Sequence, residues 1–270
     1  MIAASVPPGD AGTRDAAPDL SIIVPALDEE ENLAPLVQQV EQAVHGAGVS
    51  AELIVVDDGS HDGTLPRLRE LQQGRPWLRV LHRERAQGQS AAMHAGIQLA
   101  HGRYIATLDA DLQNDPADLP AMLRRLCDEQ ADMVQGDRSA NRRDNALRRI
   151  ASRIGRTARH VLLGDLVRDT GCSARVVRAE LARQFPLQFR GMHRFLPAYA
   201  RMLGARIIEM PVHHRPRHAG HTKYGLGLVN RGTAGLVDCF AVRWMLARYR
   251  DPLAQPLPHH GDPPHGDGQP

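Results

Sequence analysis

The run Tyr104-Ile-Ala-Thr-Leu-Asp109-Ala-Asp111-Leu-Gln113 is apolar until it ends in two carboxylates one residue apart, with an amide two positions further on. Asp109 and Asp111 can reach a single cation together. Hard oxygen ligands suit Mg²⁺ or Mn²⁺, ions that keep coordination positions open for the oxygens of a diphosphate. Such an ion would neutralise charge growing on a departing diphosphate. A polar turn after a strand is the plainer account of Asp-x-Asp taken alone. Two further apolar runs end the same way: Ile54-Val-Val-Asp57-Asp58-Gly59-Ser60-His-Asp62-Gly-Thr64, and Ile22-Ile-Val-Pro25-Ala-Leu-Asp28-Glu29-Glu30. Three acidic strand ends in one chain are hard to justify structurally and point to a shared site.

A basic region follows. Residues 138–159 hold eight arginines against one acid, Asp144, although the net charge of the whole chain is only +2. This local excess marks an anionic ligand, either phosphorylated lipid or nucleic acid; a solvated Arg-rich helix face is the alternative. Ile150, Ile154, Val161 and Leu162 thread an apolar stripe between the arginines, which suits a lipid headgroup boundary. The interleaved aromatics that would stack on bases are missing, so nucleic acid is not the expected partner. Further on, Arg217-His-Ala-Gly220-His-Thr222-Lys223-Tyr-Gly225 reads as a glycine-rich loop whose Arg217 and Lys223 fold over a diphosphate, or as a basic surface loop. The histidines at 213, 214, 218 and 221 have no nearby Cys and no i,i+4 helix spacing, so zinc is not indicated.

These residues need elements that carry them to one place. Segments 21–27, 51–57, 78–82 and 104–109 are rich in Val, Ile and Leu and read as buried strands. Helical patterns separate them at 30–46 and at 89–100, the latter stopped by Gly102. Asp115-Pro116 is an N-cap and first-turn pair for a helix to about Cys127. Further strands are expected at 133–136 and 206–212, and helices near 145–163, 176–184, 192–203 and 228–249. Strand–helix alternation predicts a mainly parallel sheet with its ligands at the carboxyl ends of the strands.

Taken together, the three acidic strand ends resemble family 2 of the inverting glycosyltransferases, and the resemblance runs from residue 20 to near residue 250. The branch most similar is that of the dolichol-phosphate mannosyltransferases and bacterial polyprenyl-phosphate glycosyltransferases. The resemblance implies the glycosyltransferase-A fold, α/β with a Rossmann-like mixed, mainly parallel sheet flanked by helices, plus a C-terminal amphipathic helix. It implies a nucleotide-sugar donor, a lipid-linked phosphate acceptor and a Mg²⁺ or Mn²⁺ held by Asp109, Asp111 and Gln113. Pro25, Leu27, Glu29, Val55, Asp57 and Ala110 would line the donor pocket with the acidic pair, Asp57 accepting from the base; Arg217 and Lys223 would clamp the diphosphate. Arg138, Arg148 and Ser152 would hold the acceptor phosphate, and Asp169, in Asp169-Thr-Gly171-Cys172-Ser-Ala-Arg175, would lie near the sugar unless it serves only as a turn or capping residue. Leu27 and Asp28 depart from the family's usual aromatic and Asn, which removes a stacking partner for the nucleobase.

The whole chain sets limits. Its 270 residues suit one large domain, and 42% hydrophobic with 24% charged residues are the proportions of a soluble protein. Residues 1–19 and 251–270 read as disordered tails, 20–225 as the catalytic domain, and 226–250 as an amphipathic helix that lies on a membrane or packs against a core or a second copy. That last stretch is too interrupted by charge to span a bilayer, so membrane contact is expected to be peripheral, with room for an integral membrane partner or a homo-oligomer. Three scattered cysteines without CxxC spacing fit a reduced compartment, and the N-terminus carries no export pattern, so the expected place is the cytoplasmic face of a membrane. Two alternatives stay open: a glycosyltransferase acting on a sugar hydroxyl, with Asp115 or Asp169 as base, and a catalytically silent membrane-associated scaffold.

Overall fold

The computed structural model describes residues 17–139, 157, 159–165, 167–217 and 228–250. Seven strands form one sheet: β1 (Leu20–Ala26), β2 (Ala51–Asp57), β3 (Leu78–His82), β4 (Tyr104–Thr107), β5 (Met133–Asp137), β6 (Arg175–Arg178) and β7 (Ile207–Pro211). Their order is β3-β2-β1-β4-β6-β5-β7. β6 runs antiparallel to both its neighbours, and every other pairing in the sheet is parallel. The helices are α1 (Glu30–Gly46), α2 (Thr64–Gln72), α3 (Gln89–Gln98), α4 (Leu119–Asp128), α5 (Ala179–Ala182), α6 (Leu196–Met202) and α7 (Leu228–Arg248).

Side chains alternate across the sheet with a period of two, so each strand feeds two cores. Leu20, Ile22 and Val24 of β1 join Leu53 and Val55 of β2 beneath Leu33, Leu36, Val37 and Val40 of α1 and Met122 and Leu126 of α4. Ile23, Ile54 and Val56 point the other way, onto Ala92, Met93 and Ile97 of α3, and the same layer holds Phe185, Tyr199 and Val242. The result is a three-layer α/β fold.

The expected strands and most of the expected helices are found, with small shifts of their ends; of the helix expected near 192–203, Met192–Arg194 is a 3-10 turn and Leu196–Met202 is α6. The segment expected as a helix at 176–184 is different: Arg175–Arg178 is strand β6, and only Ala179–Ala182 that follows is helical. Val176 and Val177 are both buried, one in each core, which is how a central strand covered on both faces behaves. The strand expected at 104–109 stops at Thr107, which leaves Asp109 in the loop beyond the sheet. Of the helix expected near 145–163, only residues 157 and 159–163 fall among the described ones, and they are helical.

The reversal of β6 has a direct geometric consequence. Thr107 pairs with Arg175, so the start of β6 lies beside the end of β4. Parallel pairing brings the ends of β1 and β2 together, and those of β5 and β7. Loops after β1, β2, β4, β5 and β7 and the loop before β6 therefore all open on one edge.

Helix α3 lies hard against the sheet because Gly96 has no side chain: a Cβ there would stand 2.6 Å from Ile23 Cγ2 and 3.2 Å from Val56 Cγ2. Gly96→Val should destabilise the protein by about 1–3 kcal/mol through overpacking, read as a lowered urea midpoint with unchanged m-value.

Candidate active site at the carboxyl edge

Loops at this edge are held by their own polar side chains. Asp28, at φ +48°, accepts a hydrogen bond from the His61 amide at 2.7 Å and donates its own amide to Ser60 Oγ at 2.8 Å. The Glu29 amide donates to Thr64 Oγ1 at 2.8 Å, and Asn32 donates to Glu29 Oε2 at 2.5 Å. Asp58 accepts from the amides of Gln87 and Gly88 at 3.1 and 2.7 Å. Gly59, at φ +75°, lets this loop approach the next: a Cβ would meet Ala86 N at 2.8 Å. Part of the acidity after β1 and β2 thus has a structural use that the sequence analysis did not expect, because Asp28 and Asp58 fasten turns through backbone amides.

The loop after β4 is different. Asp111 is 6% exposed, and burial followed by the nearby charge of Asp109 pushes its carboxyl up to about 6, against the pull of the Gln113 amide and of Arg217. Its Oδ1 accepts from the Gln113 amide at 3.0 Å, and its Oδ2 lies 2.8 Å from Arg217 Nη2. Arg217 Nη1 is 3.8 Å from Glu29 Oε1. Asp109 accepts from Gln89 Nε2 at 2.7 Å, from the first turn of α3. Asp115 caps the helical turn ahead of α4, accepting from the Ala117 amide at 3.1 Å, and its other oxygen pairs with Arg215.

The segment after β7 runs along this loop. His213 donates its amide to Asp118 at 2.7 Å and sets Nδ1 2.8 Å from the same carboxylate, whose hydrogen bond and charge hold the imidazole above its usual pKa. Asn114 and His214 form a bridge, and the Arg215 amide donates to Gln113 O at 2.8 Å.

Opposite, Arg138 at the end of β5 grips Asp169 with two parallel bonds, Nε to Oδ2 at 2.7 Å and Nη2 to Oδ1 at 3.0 Å. Burial opposes the charge on Arg138, but Asp169 more than offsets it and holds the guanidinium above its usual value. Arg175 lies behind, 2% exposed, donating to Gln135 Oε1 at 2.7 Å and to Thr170 O at 2.9 Å. Burial pulls it below the usual arginine range, against the pull of the Asp109 and Asp169 charges. Ser90 Oγ meets His193 Nδ1 at 2.8 Å, and burial, then the charges of Arg194 and Arg175, pushes this imidazole down to about 3, so it is neutral at pH 7.

The structure thus brings Glu29, Asp111 and Arg217 together, seats Asp109 beside Asp111, and joins Arg138 to Asp169. Pro25 and Leu27 lie half-buried at the end of β1. Val55 departs from the expected role: it is fully buried in the core and underlies the edge rather than lining a pocket. Asp57 is also fully enclosed, with Ser60 N–H at 3.1 Å and His82 Nδ1 at 2.7 Å on its two oxygens. Ala110 is buried, and Arg148, Ser152 and Lys223 lie outside the described residues. Sequence reasoning passed over Gln89, His193 and Arg215. Gln89 and Arg215 signalled themselves only by position, at a helix start after Gly88 and between prolines and histidines after β7, and His193 carried no signal.

Among the described residues no three His, Cys, Asp or Glu side chains converge on a metal-sized point. Two carboxylates are nevertheless a sufficient protein contribution for Mg²⁺ or Mn²⁺, which take one or two and fill the remainder from substrate phosphate and water. Buried Asp111 beside half-buried Asp109 fits such an ion: even with Arg217 in contact, burial and the Asp109 charge hold the Asp111 carboxyl above its usual range.

Residues 21–185 match the family described as glycosyl transferase family 2. A dodecaprenyl-phosphate galacturonate synthase of Rhizobium johnstonii is 39% identical over 246 residues, 88% of this chain and 71% of the relative. An undecaprenyl-phosphate 4-deoxy-4-formamido-L-arabinose transferase of Edwardsiella ictaluri is 34% identical over 222 residues, 82% of this chain and 67% of the relative. Among solved structures, a glucosyl-3-phosphoglycerate synthase from Mycobacterium tuberculosis with Mn²⁺, UDP and glucosyl-3-phosphoglycerate superposes with a TM-score of 0.63 at 20% identity, covering 84% of this chain and 80% of that one. A mannosyltransferase from Pyrobaculum calidifontis with GDP-Man and Mn²⁺ gives 0.59 at 19%, covering 84% and 64%. These two likenesses establish the shared fold.

Arg138→Ala would leave the Asp169 carboxylate buried without its cation and should cost about 3–5 kcal/mol, measured by chemical denaturation. The double variant Arg138→Ala/Asp169→Ala should be less destabilised than the two single losses added together.

Proposed function

The chain belongs to glycosyl transferase family 2, and from that premise we propose that this glycosyltransferase moves a sugar, with inversion, from a nucleotide-sugar to a polyprenyl phosphate at a membrane surface. Asp109 and Asp111, with Gln113, would hold the Mg²⁺ or Mn²⁺, which supplies positive charge for the leaving diphosphate. Pro25, Leu27, Glu29 and Asp57 face or underlie the donor, with Ala110 contributing backbone between the two carboxylates. Arg217 is poised to take diphosphate oxygens as a planar fork, and Lys223 adds a point charge. Arg138 is fixed by Asp169 through Nε and Nη2, which leaves Nη1 to meet an acceptor phosphate; Arg148 and Ser152 complete that grip. Their part is placement, bringing the phosphate in line with the anomeric carbon.

The observation that carries the choice of acceptor is the state of the two carboxylates that would otherwise be the base. Asp115 is paired with Arg215 and caps a helical turn, and Asp169 is held by Arg138 on both oxygens. Neither is poised to take a proton from a sugar hydroxyl. A phosphate monoester, with a second pKa of about 6, is largely ionised at neutral pH and needs none. Two relatives, 39 and 34% identical, carry dodecaprenyl phosphate and undecaprenyl phosphate in their names, which supports the same choice.

Among the described residues no helix is long and apolar enough to cross a membrane. We assign peripheral contact to α7, where Val237, Phe240 and Trp244 lie on one side at 67, 60 and 62% exposure. Arg248 stacks over the Trp244 ring at 5.4 Å, and Arg243 and Arg250 flank it. Aromatic side chains beside arginines suit the headgroup layer, and the unpaired, scattered cysteines point to its cytoplasmic side. An integral membrane protein or a second copy of the chain is the other occupant this face would accept.

Purified protein incubated with polyprenyl phosphate, Mn²⁺ and a panel of nucleotide-sugars should yield a glycosyl phospholipid detectable by mass, and Asp111→Ala should abolish it together with metal-dependent donor binding. A product linked to a sugar hydroxyl would reject the acceptor, and full turnover by Asp111→Ala would reject the metal assignment. In a Trp77→Phe background, Trp244 emission should shift to the blue on adding anionic vesicles, and Phe240→Asp should weaken that binding several-fold; an unchanged spectrum would remove α7 from the membrane.

A further inference from the structure

We propose that Arg217 is the resident counter-ion of the acidic site and makes metal loading depend on the donor: without donor its guanidinium occupies Asp111, and a diphosphate draws it away and frees that carboxylate for the ion. This inference rests on the reading of Asp109 and Asp111 as the cation site.

The contacts define the competition. Arg217 Nη2 lies 2.8 Å from Asp111 Oδ2, while Asp111 Oδ1 is already committed to the Gln113 amide at 3.0 Å. One oxygen of Asp109 is likewise taken, by Gln89 at 2.7 Å. The oxygen of Asp111 that a metal needs is therefore the one the guanidinium holds. A bare ion must break a charge-assisted hydrogen bond to a carboxylate that is 9% exposed by its side chain.

Charge explains why the exchange is reversible. Glu29, Asp109 and Asp111 act together on this pocket, and Arg217 lies between two of them, 2.8 Å from Asp111 Oδ2 and 3.8 Å from Glu29 Oε1. A divalent ion is wanted, but only once Arg217 has somewhere better to go. Diphosphate oxygens offer a guanidinium the same planar, bidentate geometry as a carboxylate.

The rest of the segment is built to let the head move alone. Arg215 holds Asp115 and donates at 2.9 Å to Gln39 Oε1, its amide donates to Gln113 O at 2.8 Å, and His213 holds Asp118 through two bonds. These contacts fasten the main chain of 213–215 along the loop after β4 without using Arg217. Its long stem can turn from carboxylate to phosphate while its backbone stays in place.

Coupling of this kind has a signature with two signs. Free Mn²⁺ should be titrated by electron paramagnetic resonance into the wild-type protein and into Arg217→Gln, Arg217→Lys and Asp111→Asn, without nucleotide and in salt high enough to screen charges beyond contact range. Arg217→Gln should bind Mn²⁺ more tightly by roughly 5- to 150-fold, the usual span of a site-to-site coupling, with Arg217→Lys in between. At saturating Mn²⁺ the same variant should bind UDP and GDP more weakly than wild type, a loss that general unfolding would not pair with tighter metal binding. Equal or weaker Mn²⁺ binding by Arg217→Gln, with binding lost in Asp111→Asn, would overturn the role of Arg217 and leave the metal site standing. Undiminished Mn²⁺ binding by Asp111→Asn would overturn the metal site and this inference with it.

Discussion

Two carboxylates on one short loop, Asp111 buried and Asp109 half-buried, repel each other until a cation joins them, and the carboxyl edge of this sheet is arranged around that repulsion. Burial and Asp109 push Asp111 up to about 6 even though Arg217 touches it. A site left this hungry for positive charge is unfavourable for stability, and its persistence is best understood as preorganisation for a ligand that brings charge with it.

That arrangement depends on topology more than on any single side chain. With β6 antiparallel between β4 and β5, the loop that carries Asp169 enters the sheet beside the loop that carries Asp109 and Asp111. Arg138, at the end of β5, then meets Asp169 across a short gap and is locked by two hydrogen bonds. A parallel strand at this position would have sent residues 169–174 to the opposite edge. Gly136 keeps the neighbours close: a Cβ there would come within 2.8 Å of Ala174 O and 2.9 Å of Cys172 Sγ.

The remaining polar residues at this edge make the loops rigid enough to hold such a geometry. Asp28, Ser60, Thr64 and Asp58 tie the loops after β1, β2 and β3 to one another through backbone amides, and His213 and Arg215 tie the last segment to the loop after β4. Loops fastened in this way act as extensions of the sheet. The apolar face of α7 stands apart from this network, with Arg243 donating to Leu162 O at 2.8 Å as one of its ties to the body of the protein.

The sequence by itself determined the alternation of strands and helices, the edge where ligands belong and the pair Asp109 and Asp111, because hydrophobic period and strand-end chemistry are local and are written in consecutive residues. It also carried the family resemblance through the same motifs. It did not determine the direction of β6: Arg-Val-Val-Arg is too short to show a period, and its helical continuation at Ala179–Ala182 hid it. Nor did it separate Asp58, which fastens a turn, from Asp111, which lies against Arg217, since both are acids after an apolar strand. Only the tertiary structure decided which amides and guanidinium groups each carboxylate meets, because most of those partners are distant in the chain and burial, which sets the cost of charge, belongs to the fold as a whole.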